Sequence, residues 1–122
     1  MKIAFDAKRF FHNTSGLGNY SRDLVRILAE YSPEDEFVLL AEKQSQRGKE
    51  ILSLPNVSYA SVSKGMLARQ LKMGVDAQNL GANIFHGLSG ELPLKWNEKP
   101  IKKIVTIHDL IFVRYPELYS FF

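Results

Sequence analysis

Three short segments hold the side chains best suited to chemistry, and each follows a run of apolar residues. The first is Ile104-Val105-Thr106-Ile107-His108-Asp109-Leu110. It reads as a short buried strand that delivers His108 and Asp109 at its carboxyl end. The second, Asn83-Ile84-Phe85-His86-Gly87, gives His86 the same address. The third, Lys2-Ile3-Ala4-Phe5-Asp6-Ala7, leads through a polar, aromatic loop into Ser15-Gly16-Leu17-Gly18-Asn19-Tyr20. Ligands of open α/β sheets bind beyond the carboxyl ends of the strands. The three segment ends are therefore expected to converge on one crevice.

Each segment has a chemical and a structural reading. Gly16-Leu17-Gly18-Asn19-Tyr20-Ser21 matches G-x-G-x-x-S, close to a dinucleotide fingerprint, and Glu42 lies about where an acidic ribose partner would sit. A true fingerprint turns tightly off its strand, whereas the eight residues from Lys8 to Ser15 intervene here. Two glycines opening a helix also allow backbone N–H groups to approach a phosphate or diphosphate, which the helix dipole favours. They can equally do no more than permit a tight turn. His108 and His86 offer imidazoles that donate or accept near neutrality, or they are satisfied histidines at the core edge, with Asp109 capping a turn. Their spacing matches no short zinc motif, so no metal is expected. Lys8, Arg9 and His12 around the first loop, and Arg114 with Tyr115 after the last strand, either border the cleft or form solvated loops.

The elements that must position these residues alternate between strand and helix patterns. Residues 2–7, 36–41, 56–60, 83–86 and 103–108 read as strands. Leu17 to Glu30 reads as a helix with Tyr20, Leu24, Ile27, Leu28 and Tyr31 on its apolar stripe. Gln44 to Leu52 is a shorter helix. Met66 to Leu80 is a longer one, with Leu67, Leu71 and Val75 on its apolar face and Arg69, Lys72, Asp76 and Asn79 on its polar face. Leu88 to Ile101, which holds Pro93 and Pro100, reads as an irregular loop. Pro116 suits the first turn of a helix starting near Tyr115. Strands separated by helices predict a Rossmann-like three-layer α/β sandwich with a mainly parallel sheet.

The 122 residues suit one domain. Hydrophobic content of 45% and charged content of 24% are those of an ordinary globular chain. A net charge of +3 is too weak to argue for nucleic-acid binding. Without cysteine there are no disulfides or thiolate metal sites. Asp6 and Lys8 interrupt any signal-peptide core, and no apolar run reaches the roughly 18 residues of a membrane span. A cytoplasmic chain is expected, with the inner face of the membrane as a second address. Lys64, Arg69 and Lys72 beside Met66, Leu67 and Leu71 make a weakly basic amphipathic helix. Most such helices cover a sheet, and a minority lie on anionic membranes.

Taken in order, three blocks resemble the N-terminal domain of family 4 glycosyltransferases with the GT-B fold, particularly the mannosyltransferase-like group. They are Phe5-Asp6-Ala7-Lys8-Arg9 with Ser15 to Leu24, Asn83 to Leu88 with Leu92-Pro93, and Lys103 to Ile111 with Arg114-Tyr115-Pro116-Glu117. The resemblance implies a retaining hexosyltransferase that moves a sugar from a nucleotide-diphosphate donor to a glycan or lipid-linked acceptor, with no further cofactor. It also implies that Gly16, Leu17 and Gly18 approach the donor diphosphate and that His108 sits near the transferred sugar as the catalytic group. His86, Asn19, Tyr20, Asp109 and Arg114 would border the acceptor. Members of this family carry a second, donor-binding domain with paired glutamates, which this chain lacks. The chain is therefore expected to be truncated at its C-terminal end, inactive by itself, and able to self-associate through the exposed edge. Two other classes remain open: a nucleotide- or dinucleotide-binding module and a non-catalytic flavodoxin-like domain.

Overall fold

A computed structural model describes residues 1–107 of the chain. Its centre is a five-stranded sheet in the order β3-β2-β1-β4-β5, with every pairing parallel. The strands are β1 (Lys2–Asp6), β2 (Glu36–Ala41), β3 (Val57–Ser61), β4 (Ile84–Gly87) and β5 (Lys102–Val105). Among the described residues five α-helices accompany them: α1 (Lys8–His12), α2 (Gly16–Tyr31), α3 (Lys49–Leu52), α4 (Met66–Leu71) and α5 (Met73–Asn79). The expected α/β sandwich is thus the observed architecture. β1 lies in the middle, next to β2 on one side and β4 on the other, so the strand order reverses direction there.

The two faces of the sheet follow from alternation along the strands. Phe5, Phe37 and Leu39 face one way and pack with Phe10, Phe11, Val25, Ala29 and Ile51 of the helices above them. Ala4, Val38, Leu40 and Phe85 face the other way, against Met73 and Ala77 of α5. Trp96 and Ile101, from the segment between β4 and β5, extend that second layer. β2 is buried from Phe37 to Ala41, as a central parallel strand covered on both sides should be.

Several elements differ from the sequence expectation. The loop expected after β1 contains α1, whose Phe10 and Phe11 are fully buried. Five residues are too few to show helical periodicity, so only burial of the two rings reveals the helix. In α2 the buried face is Gly18, Ser21, Val25 and Ala29, whereas Tyr20, Ile27 and Tyr31 are exposed. Small residues let this helix lie close to its neighbours, and Arg22 fastens it by donating to the carbonyls of Phe10 at 2.7 Å and Asn13 at 2.9 Å. The helix expected over 66–80 is two helices meeting at Lys72. The Gln70 carbonyl, which a continuous helix would offer to Gly74, instead accepts the N–H groups of Leu94 at 2.9 Å and Lys95 at 3.1 Å. The strand expected to be buried at 103–108 is β5, which is the outermost strand among the described residues and has every residue exposed.

The orientation of α4 is also the reverse of that expected. None of its residues is buried, and Met66, Leu67 and Leu71 are exposed. Arg69, expected among the solvated residues, turns toward the sheet and keeps 12% of its side chain exposed.

Candidate functional site

Asp6 ends β1 directly after the apolar run Ile3-Ala4-Phe5, with only 4% of its surface exposed. A carboxylate so enclosed needs partners to replace its lost hydration. Its Oδ2 accepts from Arg69 Nη2 at 2.7 Å, and its Oδ1 accepts the Lys8 N–H at 3.2 Å. The same Nη2 donates to Glu91 Oε2 at 3.2 Å. One guanidinium therefore joins the end of β1, α4 and the segment after β4. Arg69 Nε is buried with no hydrogen-bond partner among the described residues.

Beside this pair lies a cleft of about 130 Å³, lined by Asp6, Lys8, His12, Glu42, Arg69 and Met73 among others. It sits beyond the ends of β1, β2 and β3 rather than at the reversal between β1 and β4. His12 Nε2 lies 3.0 Å from the Lys43 carbonyl. A carbonyl only accepts, so Nε2 carries a proton and donates it to this carbonyl. Glu42 Oε1 accepts the Gly65 N–H at 2.7 Å and so holds the turn that enters α4. The Asp6 carboxylate spends Oδ2 on Arg69 and Oδ1 on the Lys8 N–H. Charged groups around an apolar floor of Ala41, Val62 and Met73 suit the binding of a small polar molecule.

The glycine segment opens α2 next to this cleft's α1 wall. Asn13 Oδ1 accepts the N–H groups of Ser15 at 2.8 Å and Gly18 at 3.2 Å, as well as the Ser15 hydroxyl. A side chain outside the helix thus fills part of its N-terminal donor set. The two glycines have different reasons to be there. A Cβ on Gly18 would lie 1.9 Å from the Asn13 carbonyl oxygen, so packing alone requires glycine. A Cβ on Gly16 would meet nothing within 4 Å, which leaves its backbone open to close approach. Leu17 follows it, half-buried. Asn19 and Tyr20 lie exposed on the first turn, with Asn19 Oδ1 accepting from Arg22 Nη2 at 2.8 Å.

His86 does not share the Asp6 cleft. Parallel register pairs Asp6 with Gly87 and Phe5 with His86, and this puts the imidazole on the α2 face of the sheet. There its ring packs 5.5 Å from the Phe5 ring, and Nε2 meets the Thr106 hydroxyl. Burial holds its pKa below the ordinary imidazole value, because a charged ring would lose hydration. His108, Asp109 and Arg114 lie outside the described residues.

No family model matches this chain, and neither a curated protein nor a solved structure does so.

The structure therefore brings together Asp6, Lys8, His12 and Arg69, and sends His86 elsewhere. The Asp6–Arg69–Glu91 connection was not evident from local pattern. Its one sequence signal is an acid directly after the apolar run Ile3-Ala4-Phe5, since charges almost never bury without a partner. Among the described residues, no helix is long and apolar enough to cross a membrane, and no group of three or more His, Asp or Glu side chains is placed to hold a metal ion.

Proposed function

We propose that this chain is the acceptor-side domain of a retaining glycosyltransferase, which moves a sugar from a nucleotide-diphosphate donor to a glycan or lipid-linked acceptor. The observation that supports this reading most is an adjacency. β1, β4 and β5 are neighbours in one parallel sheet, so the Gly16 segment, the His86-Gly87 segment and the chain entering His108 leave from the same side of the fold. These are the three blocks that carry the family resemblance. In this reading the N–H groups of Gly16 and Leu17 meet the donor diphosphate. Lys8, His12 and the Asp6–Arg69 pair offer hydrogen bonds to acceptor hydroxyls. His108 orients the transferred sugar.

The dinucleotide-module reading has less support. A helix, α1, stands between β1 and Gly16, where a fingerprint needs a tight turn. Glu42, the candidate ribose partner, is engaged by the Gly65 N–H.

Titrating the nitrogen-15-labelled chain with UDP, with GDP and with NAD tests the proposal. Saturable amide shifts at Gly16 and Leu17 with a nucleoside diphosphate, lost in Gly16→Val, support it. The variant should fold, because a side chain there has open space. Silence at residues 16–19 with both diphosphates, or a response to NAD alone, overturns it.

A further inference from the structure

α4 turns its apolar residues outward. Met66 and Leu67 are 74% and 72% exposed, and Leu71 is 41% exposed. At about 100° per residue these three span roughly 140° of arc, with Ala68 and Arg69 on the opposite side. The cause lies on that opposite side: Arg69 reaches inward to Asp6 at 2.7 Å, and a six-residue helix cannot turn both Arg69 and its leucines inward. Leu94 joins the outward patch from the segment after β4. It is 77% exposed, and its N–H donates to the Gln70 carbonyl at 2.9 Å, which sets it beside the end of α4.

Cations edge this patch. Lys64 precedes α4, Lys72 ends it, and Lys95 donates its N–H to the same Gln70 carbonyl as Leu94 does; all three lysines are exposed. The acid nearest the patch in sequence, Glu91, is already paired with Arg69. Apolar side chains at the centre and flexible ammonium groups around them match a surface that is negative at its boundary and apolar beneath. A bilayer containing anionic lipid has that profile.

We infer that α4 and the Leu94-Lys95 turn form a docking surface for an anionic membrane, with Met66, Leu67, Leu71 and Leu94 entering the headgroup boundary. Lys64, Lys72 and Lys95 contact the lipid phosphates. This inference does not depend on the transferase reading. If both hold, the inward face of α4 presents Arg69 to the cleft while its outward face rests on lipid, which brings the cleft close to the membrane surface.

Vesicle flotation of the chain tests the inference, comparing pure phosphatidylcholine with phosphatidylcholine containing phosphatidylglycerol. The chain should float with the anionic vesicles only, and release with added salt. Neutralising Lys64, Lys72 and Lys95 to Gln together should weaken partitioning about a hundredfold, since each lysine near an anionic surface supplies roughly a fivefold factor. The variant Met66→Ser/Leu67→Ser/Leu94→Ser keeps those charges and should also lose flotation. Circular dichroism checks the fold of both variants, which should be kept because the changed side chains are exposed. Equal flotation with both vesicle types, absence of flotation, or full binding by the serine variant overturns the inference. So does a wild-type dimer that the serine variant converts to monomer, because the patch would then cover a second copy of the chain.

Discussion

Replacing Asp6 with Asn keeps the shape at the end of β1 and removes the charge that faces Arg69. Asn Oδ1 can still accept the Lys8 N–H, so the loss concentrates on the guanidinium. Breaking a buried ion pair costs about 3–5 kcal/mol when one charge is left uncompensated. Arg69 here keeps Glu91 at 3.2 Å, so the expected cost is the lower end, about 3 kcal/mol. With an unfolding entropy near 2.1 cal/mol/K per residue, 122 residues give about 0.26 kcal/mol/K, and the midpoint should fall by about 12 °C. Arg69→Met should cost as much or more, because it leaves a carboxylate buried with only the Lys8 N–H. The double variant Asp6→Asn/Arg69→Met should then cost less than the sum, by about 2 kcal/mol, which is the coupling expected of groups in direct contact. Glu91→Gln serves as the control. Its side chain is 56% exposed, so its loss should stay below about 1 kcal/mol. Urea unfolding at constant slope measures all four variants. Asp6→Asn falling no further than Glu91→Gln, or strict additivity in the double variant, refutes the view that this pair holds α4 to the sheet.

Two further outcomes follow from the glycine segment and from His86. Gly18→Ala should destabilise by about 2 kcal/mol or more, because its Cβ would press on the Asn13 carbonyl, whereas Gly16→Ala should be neutral or stabilising by up to about 1 kcal/mol; paired urea curves separate them. Burial lowers the His86 pKa in the folded chain, so the unfolded chain binds the proton more readily. The stability tied to the neutral ring is complete above the ordinary value near 6.5 and is lost as pH falls through the lower, folded value. Thermal midpoints from pH 8 to pH 5 should therefore drop more for the wild type than for His86→Asn; equal drops would show that His86 does not carry the effect.

Much of the architecture was legible in local pattern. The run Phe37-Val38-Leu39-Leu40-Ala41 is apolar throughout, and a strand buried on both faces is its natural reading. Strands separated by helical segments led to a parallel sheet because parallel neighbours need crossovers. The opening of α2 at Gly16 was also visible, since glycines before a periodic run mark a turn into a helix. α1 was hidden because five residues carry too little periodicity. The break at Lys72 was hidden because it depends on Leu94 and Lys95 capturing a carbonyl more than 20 residues away in the chain.

The candidate site was only half legible. The candidate cleft lies at carboxyl ends of the strands, where Asp6, Lys8 and His12 line it. Convergence of His86 on the same cleft failed for a geometric reason: adjacent parallel strands in register put Phe5 and His86 on one face and Asp6 and Gly87 on the other. Spacing within a strand determines that alternate residues oppose one another, but not which set meets the crevice.

The sequence by itself determined where the strands and most helices lie, which residues share a face, and hence the α/β class, because those follow from period and local backbone preference. Only the tertiary structure decided which face of each element meets the core. For α4 that choice rests on Asp6, a buried carboxylate 63 residues from Arg69. Such an acid needs a cation more than the sheet needs two further leucines, and no local window contains both partners.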